Sequence, residues 1–279
     1  MTSSSGPGIS LMQEGISFIA AAQLPCVIVN IMRGGPGLGG IQPSQSDYFQ
    51  ATKGGGHGDY HMLVLAPYTV QEAVSLTVEA FDLADKYRNP VMILGDGYLG
   101  QMMEPVEFKK VTSPNLPTKT WALTGAKGRP PNLIRTLYLD PEVLEKKNLE
   151  INSKLQEMVK DEVRVETYQT DDAEVVIAAY GTVARIAKTA IKVLREKGIK
   201  VGMVRPVVVF PFPYETFGEI AERVEKFLVV EMSFGQMLED VKLGVCGKAQ
   251  IRFYGRTGGM VPSYEEIVTE TEKLVKGIN

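Results

Sequence analysis

The chain has 279 residues, 44% hydrophobic and 23% charged, with 30 basic against 33 acidic side chains for a formal net charge of −3. That composition suits about two well-filled globular domains, and without clustered Lys and Arg it offers no nucleic-acid surface. Apolar stretches such as Val207 to Phe212 are far too short to span a bilayer, and Met1 to Gly8 has no secretory character, so the location reads as cytoplasmic.

In chain order, Thr2-Ser-Ser-Ser-Gly-Pro-Gly8 leads into a helical pattern from Ile9 to Ala22, setting amides and hydroxyls where a helix N-terminus could meet a ligand. Pro25–Ile31, His61–Ala66 and Pro90–Leu94 are near-continuous apolar runs, as expected of strands buried on both faces. Val70 to Tyr87 reads as an amphipathic helix, with Thr69 as N-cap and Glu72 as capping-box partner. Glu104 to Pro131 loses periodicity and reads as a long connection. Glu142 to Glu166 reads as a polar helix leading out of a first domain. A second set follows: a strand in Asp172–Thr182, a helix from Val183 to Lys197 closed by Gly198, and strands at Lys200–Val204, Phe227–Glu231 and Ala249–Tyr254. Alternation of this kind predicts an α/β protein with parallel sheets, in two domains spanning 1–165 and 170–279.

The two cysteines, Cys26 and Cys246, lie in apolar contexts and read as buried structural thiols. An iron–sulfur cluster needs four thiolates, so redox chemistry would belong to another chain. Two histidines, His57 and His61, are few for a zinc site. Arg33 instead draws attention, because it follows directly on a buried strand and opens Arg33-Gly-Gly-Pro-Gly-Leu-Gly-Gly40. Ligands bind beyond the carboxyl ends of parallel strands, glycines admit close backbone approach, and arginine forks onto carboxylate or phosphate. The spacing matches neither a Walker loop nor the dinucleotide fingerprint. A second glycine stretch, Thr52 to Tyr60, carries His57 and Asp59, open to both a structural reading and a site-lining one. Asp96, in Gly95-Asp-Gly97, begins like a magnesium–diphosphate motif, but no Asn pair follows, Asn115 and Asn132 standing alone, so it reads as a turn residue. Glu14 reads as a polar helix residue, and Gly255-Arg-Thr-Gly-Gly259 as a packing or subunit-contact loop.

Taken together, Thr2-Ser-Ser-Ser-Gly-Pro-Gly8, Arg33-Gly-Gly-Pro36 and His57-Gly-Asp59 resemble, in order, motifs of the α-type subunit of 2-oxoacid:ferredoxin oxidoreductases, over essentially the whole chain. Ile41-Gln-Pro-Ser-Gln-Ser-Asp-Tyr48 and Lys53 to Tyr60 look most like the branched-chain, 2-oxoisovalerate type. The resemblance implies a thiamine-diphosphate pyrimidine-type domain, incomplete at its N-terminus, followed by a transketolase C-terminal-like α/β domain. It implies thiamine diphosphate shared with a β-type partner that carries the diphosphate–magnesium site. Iron–sulfur clusters would sit on γ and ferredoxin-like subunits that pass electrons to ferredoxin, with coenzyme A taking the acyl group. It places the substrate at Arg33, Gly34, Gly35, Leu38 and Gln42, and the cofactor at Ser4, Ser5, Gly6, His57 and Asp59, with no metal on this chain.

Two departures from the family pattern bear on these expectations. Gly37-Leu38 stands where the 2-oxoglutarate type has Ser-Thr, which favours an aliphatic tail over a second carboxylate. The family's upstream Tyr-Pro-Ile-Thr-Pro segment and cofactor-facing glutamate are missing, so the chain reads as N-terminally short or one half of a split gene, and Glu14 does not inherit the role. The rival readings are a non-catalytic assembly subunit, the pyruvate or 2-oxoglutarate type, and a free-standing nucleotide-binding protein.

Overall fold

The computed structural model describes residues 1–108 and 116–278, so Asn115 and part of the aperiodic connection lie outside the described residues. Two five-stranded sheets carry the fold. The first half runs β1 (Thr2–Ser4), α1 (Pro7–Leu11), α2 (Gln13–Ala21), β2 (Cys26–Met32), α3 (Tyr48–Thr52), β3 (Leu63–Leu65), α4 (Val70–Tyr87), β4 (Pro90–Asp96) and α5 (Pro141–Asp161). The second runs β5 (Val165–Tyr168), β6 (Val175–Ala178), α6 (Gly181–Glu196), β7 (Val201–Pro206), β8 (Val208–Phe210), α7 (Tyr214–Ala221), β9 (Lys226–Glu231), α8 (Gln236–Val245), β10 (Gln250–Gly255) and α9 (Tyr264–Lys276).

The sheet orders are β1-β2-β4-β3-β8 and β10-β9-β6-β7-β5, parallel throughout except for one antiparallel edge strand in each, β8 and β5. Every residue of β4 and β6 is buried, which explains why their sequences do not alternate. The chain leaves the second sheet through β7 and, after Val207, enters the first as β8, so one extended stretch serves both sheets. The largest apolar cluster lies between them and joins Ile28, Met32 and Met92 to Tyr180, Phe217 and Phe227.

Local expectations are met with informative exceptions. Thr69 accepts from the Glu72 amide, but the Glu72 carboxylate turns away to the Tyr68 amide and to Arg205. Gly198 takes φ +81° just past α6, the left-handed position that favours glycine. The 142–166 helix ends at Asp161, because Val165–Tyr168 pairs with β7 instead. Thr2–Ser4, read as a helix lead-in, is a strand beside β2, and the Ile9–Ala22 helix is two segments meeting at Met12. Cys246, read as buried, is exposed where it caps the end of α8, and Cys26 is half-buried.

Candidate functional site

β2 buries Met32, and Arg33 follows at its carboxyl end, half-buried and bridged to Pro43. The loop between doubles back on itself: the Gly40 amide donates to the Gly34 carbonyl at 2.8 Å, and the Gly34 amide to the Gln42 carbonyl at 2.9 Å. A Cβ on Gly39, at φ +53°, would lie 1.8 Å from the Gly34 oxygen, so the return requires glycine there. Arg33 Nη1 donates to the carbonyls of Leu38 and Gly40, the second at 2.8 Å. Nε and Nη2 have no acceptor among the described residues. The guanidinium is thus anchored through one nitrogen while its other edge keeps the side-on fork that matches a carboxylate.

β1 runs parallel to β2 with Ser4 opposite Asn30, which carries Ser5 and Gly6 to the same carboxyl end. A Cβ on Gly6 would sit 2.8 Å from Arg33 Nε and Nη2, so the two predicted segments meet here. Behind Arg33, the buried Asn30 donates Nδ2 to Asp47 Oδ2 at 3.1 Å, while its Oδ1 has no partner among the described residues. Burial pushes the Asp47 carboxyl above its ordinary value, against the lowering effects of the Asn30 bond and the Arg33 charge. Sequence reasoning passes over Asn30 and Asp47, although both lie within the quoted segments. Their polar types next to a glycine-bounded arginine are the available signal.

The remaining expected residues divide. Gln42 contributes its backbone carbonyl, and its side chain packs on Gly259, where a Cβ would come within 2.3 Å. The third glycine loop therefore packs against the Arg33 loop. Leu38 gives Arg33 its carbonyl and leaves its side chain 82% exposed. His57 and Asp59 are exposed on a loop whose Gly55 and Gly56 lie against Gln13 and Ser17 of α2. Among the described residues no hydrogen bond or ion pair joins either to Ser4, Ser5, Gly6 or Arg33. Asp59 instead faces a groove shared with His61 and with Leu144 and Asn148 of α5. Glu14 is exposed on α2.

The segment after Pro43 faces the second sheet. Buried Gln45 donates Nε2 to the Tyr180 carbonyl at 2.9 Å and accepts from the Met232 amide at 2.9 Å. Asp240, buried on α8, accepts from Tyr48 at 2.7 Å, Tyr214 at 2.5 Å and Lys53 at 2.5 Å. Asp96, 1% exposed at the end of β4, accepts the Tyr98 and Leu99 amides at 2.9 and 3.1 Å, the geometry of a turn residue. Burial pushes its carboxyl up, against donors from Thr182, Leu99 and Tyr98.

Comparison with known proteins decides the family. Residues 1–180 match the family described as pyruvate flavodoxin/ferredoxin oxidoreductase, thiamine-diphosphate binding, and residues 173–267 match pyruvate:ferredoxin oxidoreductase core domain II. The chain belongs to the 2-oxoacid:ferredoxin oxidoreductases, as an α-type subunit. It is 48% identical to the ketoisovalerate oxidoreductase subunit VorB of Methanothermobacter marburgensis, covering 98% of this chain and 78% of that one. It is 34% identical to the 2-oxoglutarate synthase subunit KorA of Methanothermobacter thermautotrophicus, over 98% and 80%. Among solved structures it resembles the 2-oxoglutarate:ferredoxin oxidoreductase of Magnetococcus marinus, with a TM-score of 0.76 at 25% identity, covering 98% of this chain. It spans 52%, about half, of that oxidoreductase's chain. No helix among the described residues is long and apolar enough to cross a membrane.

Proposed function

We propose that this oxidoreductase subunit, assembled with partner chains, serves the oxidative decarboxylation of branched-chain 2-oxoacids such as 2-oxoisovalerate to acyl-coenzyme A, with reduction of ferredoxin. The observation that carries the reading is Arg33, anchored through Nη1 with its Nε–Nη2 edge unpaired at the carboxyl end of β2. A 2-oxoacid carboxylate laid on that edge would receive two parallel charged hydrogen bonds, which orients the adjacent carbonyl as well as binding the anion. Thiamine diphosphate, when bound, supplies the nucleophilic carbon and the electron sink for decarboxylation.

The fit of this chain to that cofactor is one-sided. Ser4, Ser5 and Gly6 share an end of the sheet with Arg33 and would line the pyrimidine side. Asp96 is enclosed and bound to backbone amides, which fits a diphosphate–magnesium site held by a β-type partner rather than by this chain. Among the described residues no hydrogen bond or ion pair links His57 or Asp59 to the Arg33 edge, so a cofactor role for them depends on a partner closing over their loop. Iron–sulfur clusters on γ and ferredoxin-like subunits, with ferredoxin as acceptor, complete the assembly, and the cytoplasm is its proposed location. A domain division at 1–165 and 170–279 is proposed with it, β8 crossing back from the second part.

Identity of 48% to a ketoisovalerate relative against 34% to a 2-oxoglutarate one supports the branched substrate, as does Leu38 beside Arg33. With a partner chain closed over the exposed Leu38, a second carboxylate would meet an apolar wall and lose its hydration there. The test is kcat/KM of the assembled complex for 2-oxoisovalerate and 2-oxoglutarate. The branched acid is expected to lead by about tenfold or more, whereas 2-oxoglutarate in first place would overturn the assignment.

A further inference from the structure

We infer that Gly6 is a positioning residue for substrate binding: its bare backbone is the bed on which the Arg33 fork lies. The inference rests on the reading of Arg33 as the carboxylate clamp. Gly6 sits between β1 and α1 with φ +54° and ψ −126°, a conformation in which side-chain-bearing residues are strained. A Cβ there would come 2.8, 2.8 and 2.9 Å from Arg33 Nε, Nη2 and Cζ. Those are the atoms of the unpaired edge, whereas Nη1 is fixed by the Leu38 and Gly40 carbonyls. The guanidinium is therefore held from two sides, by hydrogen bonds at Nη1 and by close backbone approach at the fork. Neither side can yield alone. Nη1 is tied to a loop that is itself locked by the bond from the Gly40 amide to the Gly34 carbonyl, and β1 is fixed in register against β2.

A methyl group on Gly6 must then displace the fork from its place, and a displaced fork loses the two parallel bonds on which arginine's advantage depends. Contrast with nearby glycines sharpens the assignment. A Cβ on Gly8 would meet Ser4 Oγ, and one on Gly35 or Gly37 would meet nothing within 4 Å. Of this group of glycines around the loop, Gly6 is the one whose missing side chain faces the guanidinium.

The experiment is a double-mutant cycle on the assembled complex, Gly6→Ala and Arg33→Lys singly and together, reading KM and kcat for 2-oxoisovalerate and the thermal midpoint. Gly6→Ala is expected to raise KM about tenfold with kcat within about threefold. In the Arg33→Lys background it is expected to change KM less than about twofold, because there is no fork left to displace. The thermal penalty of Gly6→Ala should also shrink in that background, since a lysine lacks Nε, Cζ and Nη2 of the guanidinium. If Gly6→Ala alone fails to assemble, the double variant is expected to assemble. Failure in both backgrounds, or KM effects that multiply independently, overturns the role of Gly6 while leaving Arg33 as the clamp. An Arg33→Lys complex with unchanged KM overturns the clamp itself.

Discussion

Between Gly34 and Gly40 the chain keeps its side chains outward and one edge of an arginine unpaired. Between Ser44 and Lys53, a few residues on, polar groups are paired across the boundary of the two sheets. Both stretches belong to the strings by which the family is recognised. The first is organised around a charge offered to a ligand. The second is organised around charges and amides used up inside the protein, with Asp240, Gln45 and Gln236 each making several bonds between halves of the molecule. Recognisable sequence therefore marks two different physical demands, and only paired-versus-unpaired geometry separates them. The same contrast recurs at Arg205, buried near the end of β7. It forks onto Glu72 at 2.9 Å through both Nη atoms, reaches Glu166 at 2.7 Å, and stacks on Tyr68. Arg205 has no edge to offer a ligand.

That comparison breaks if the paired stretch proves dispensable for stability. Asp240→Ala should have the largest effect on stability, because it leaves the buried Tyr48 hydroxyl without its acceptor and opens a hole beneath it, while the partly exposed Tyr214 and Lys53 turn to water. Stranding that one buried donor costs about 1–3 kcal/mol, or several degrees in thermal midpoint, with substrate KM little changed in whatever complex assembles. A midpoint within a degree or two of the parent would show that the clip contributes little. Arg33→Lys should give the opposite pattern. Loss of the bidentate contact costs about 1.5–3 kcal/mol of binding, read as a KM for 2-oxoisovalerate raised by one to two orders of magnitude, with the thermal midpoint nearly unmoved. Unchanged substrate dependence would place the carboxylate elsewhere.

A smaller effect belongs to Leu38, whose carbonyl holds Arg33 while its side chain stands free. Leu38→Ser keeps the carbonyl, so the arginine should remain in place. Its apolar wall is lost, and the preference for 2-oxoisovalerate over 2-oxoglutarate is expected to narrow by about fivefold in kcat/KM. An unaltered ratio would mean that the side chain does not face the substrate tail.

What is legible in the sequence follows the same division. Long apolar runs reveal β2, β4 and α4, because their burial on both faces or along one stripe writes a strong pattern. β1 escapes notice because Thr2-Ser-Ser4 is polar, and its strand character comes from pairing with β2. β8 escapes because Val208–Phe210, flanked by prolines, pairs with a strand of the other sheet that is distant in sequence. At the site, motifs point to Arg33 and Gly6 separately, yet their contact is not foreseeable, since it depends on the parallel register of β1 against β2. His57 and Asp59 show the reverse. Their loop is prominent in sequence, but it turns toward α2 and α5, and nothing in glycine spacing tells which way a loop will lean.

The subtlest test of the paired region concerns Asp96. Its carboxyl is enclosed at the junction, accepts two backbone amides through one oxygen, and lies beside Thr182. Burial raises its proton affinity above that of an ordinary aspartate, so the folded protein binds this proton more tightly than the unfolded chain does. The associated stability is therefore fully present below the unfolded value of about 3.9, and is lost as pH rises from there through the raised folded value. In the Asp96→Asn variant the side-chain amide is unable to ionise, can still accept both backbone amides through its oxygen, and can offer its nitrogen to Thr182. The thermal midpoint of the Asp96→Asn protein, taken relative to the parent, is thus expected to climb between about pH 3.5 and pH 7, by a few degrees at most. Because the carboxyl is enclosed and already holds the turn after β4, magnesium loading of the assembled complex should not change. A relative midpoint that falls over the same pH range would mean that the carboxylate is stabilised as an anion in the fold, and a loss of magnesium would place Asp96 among the metal's ligands.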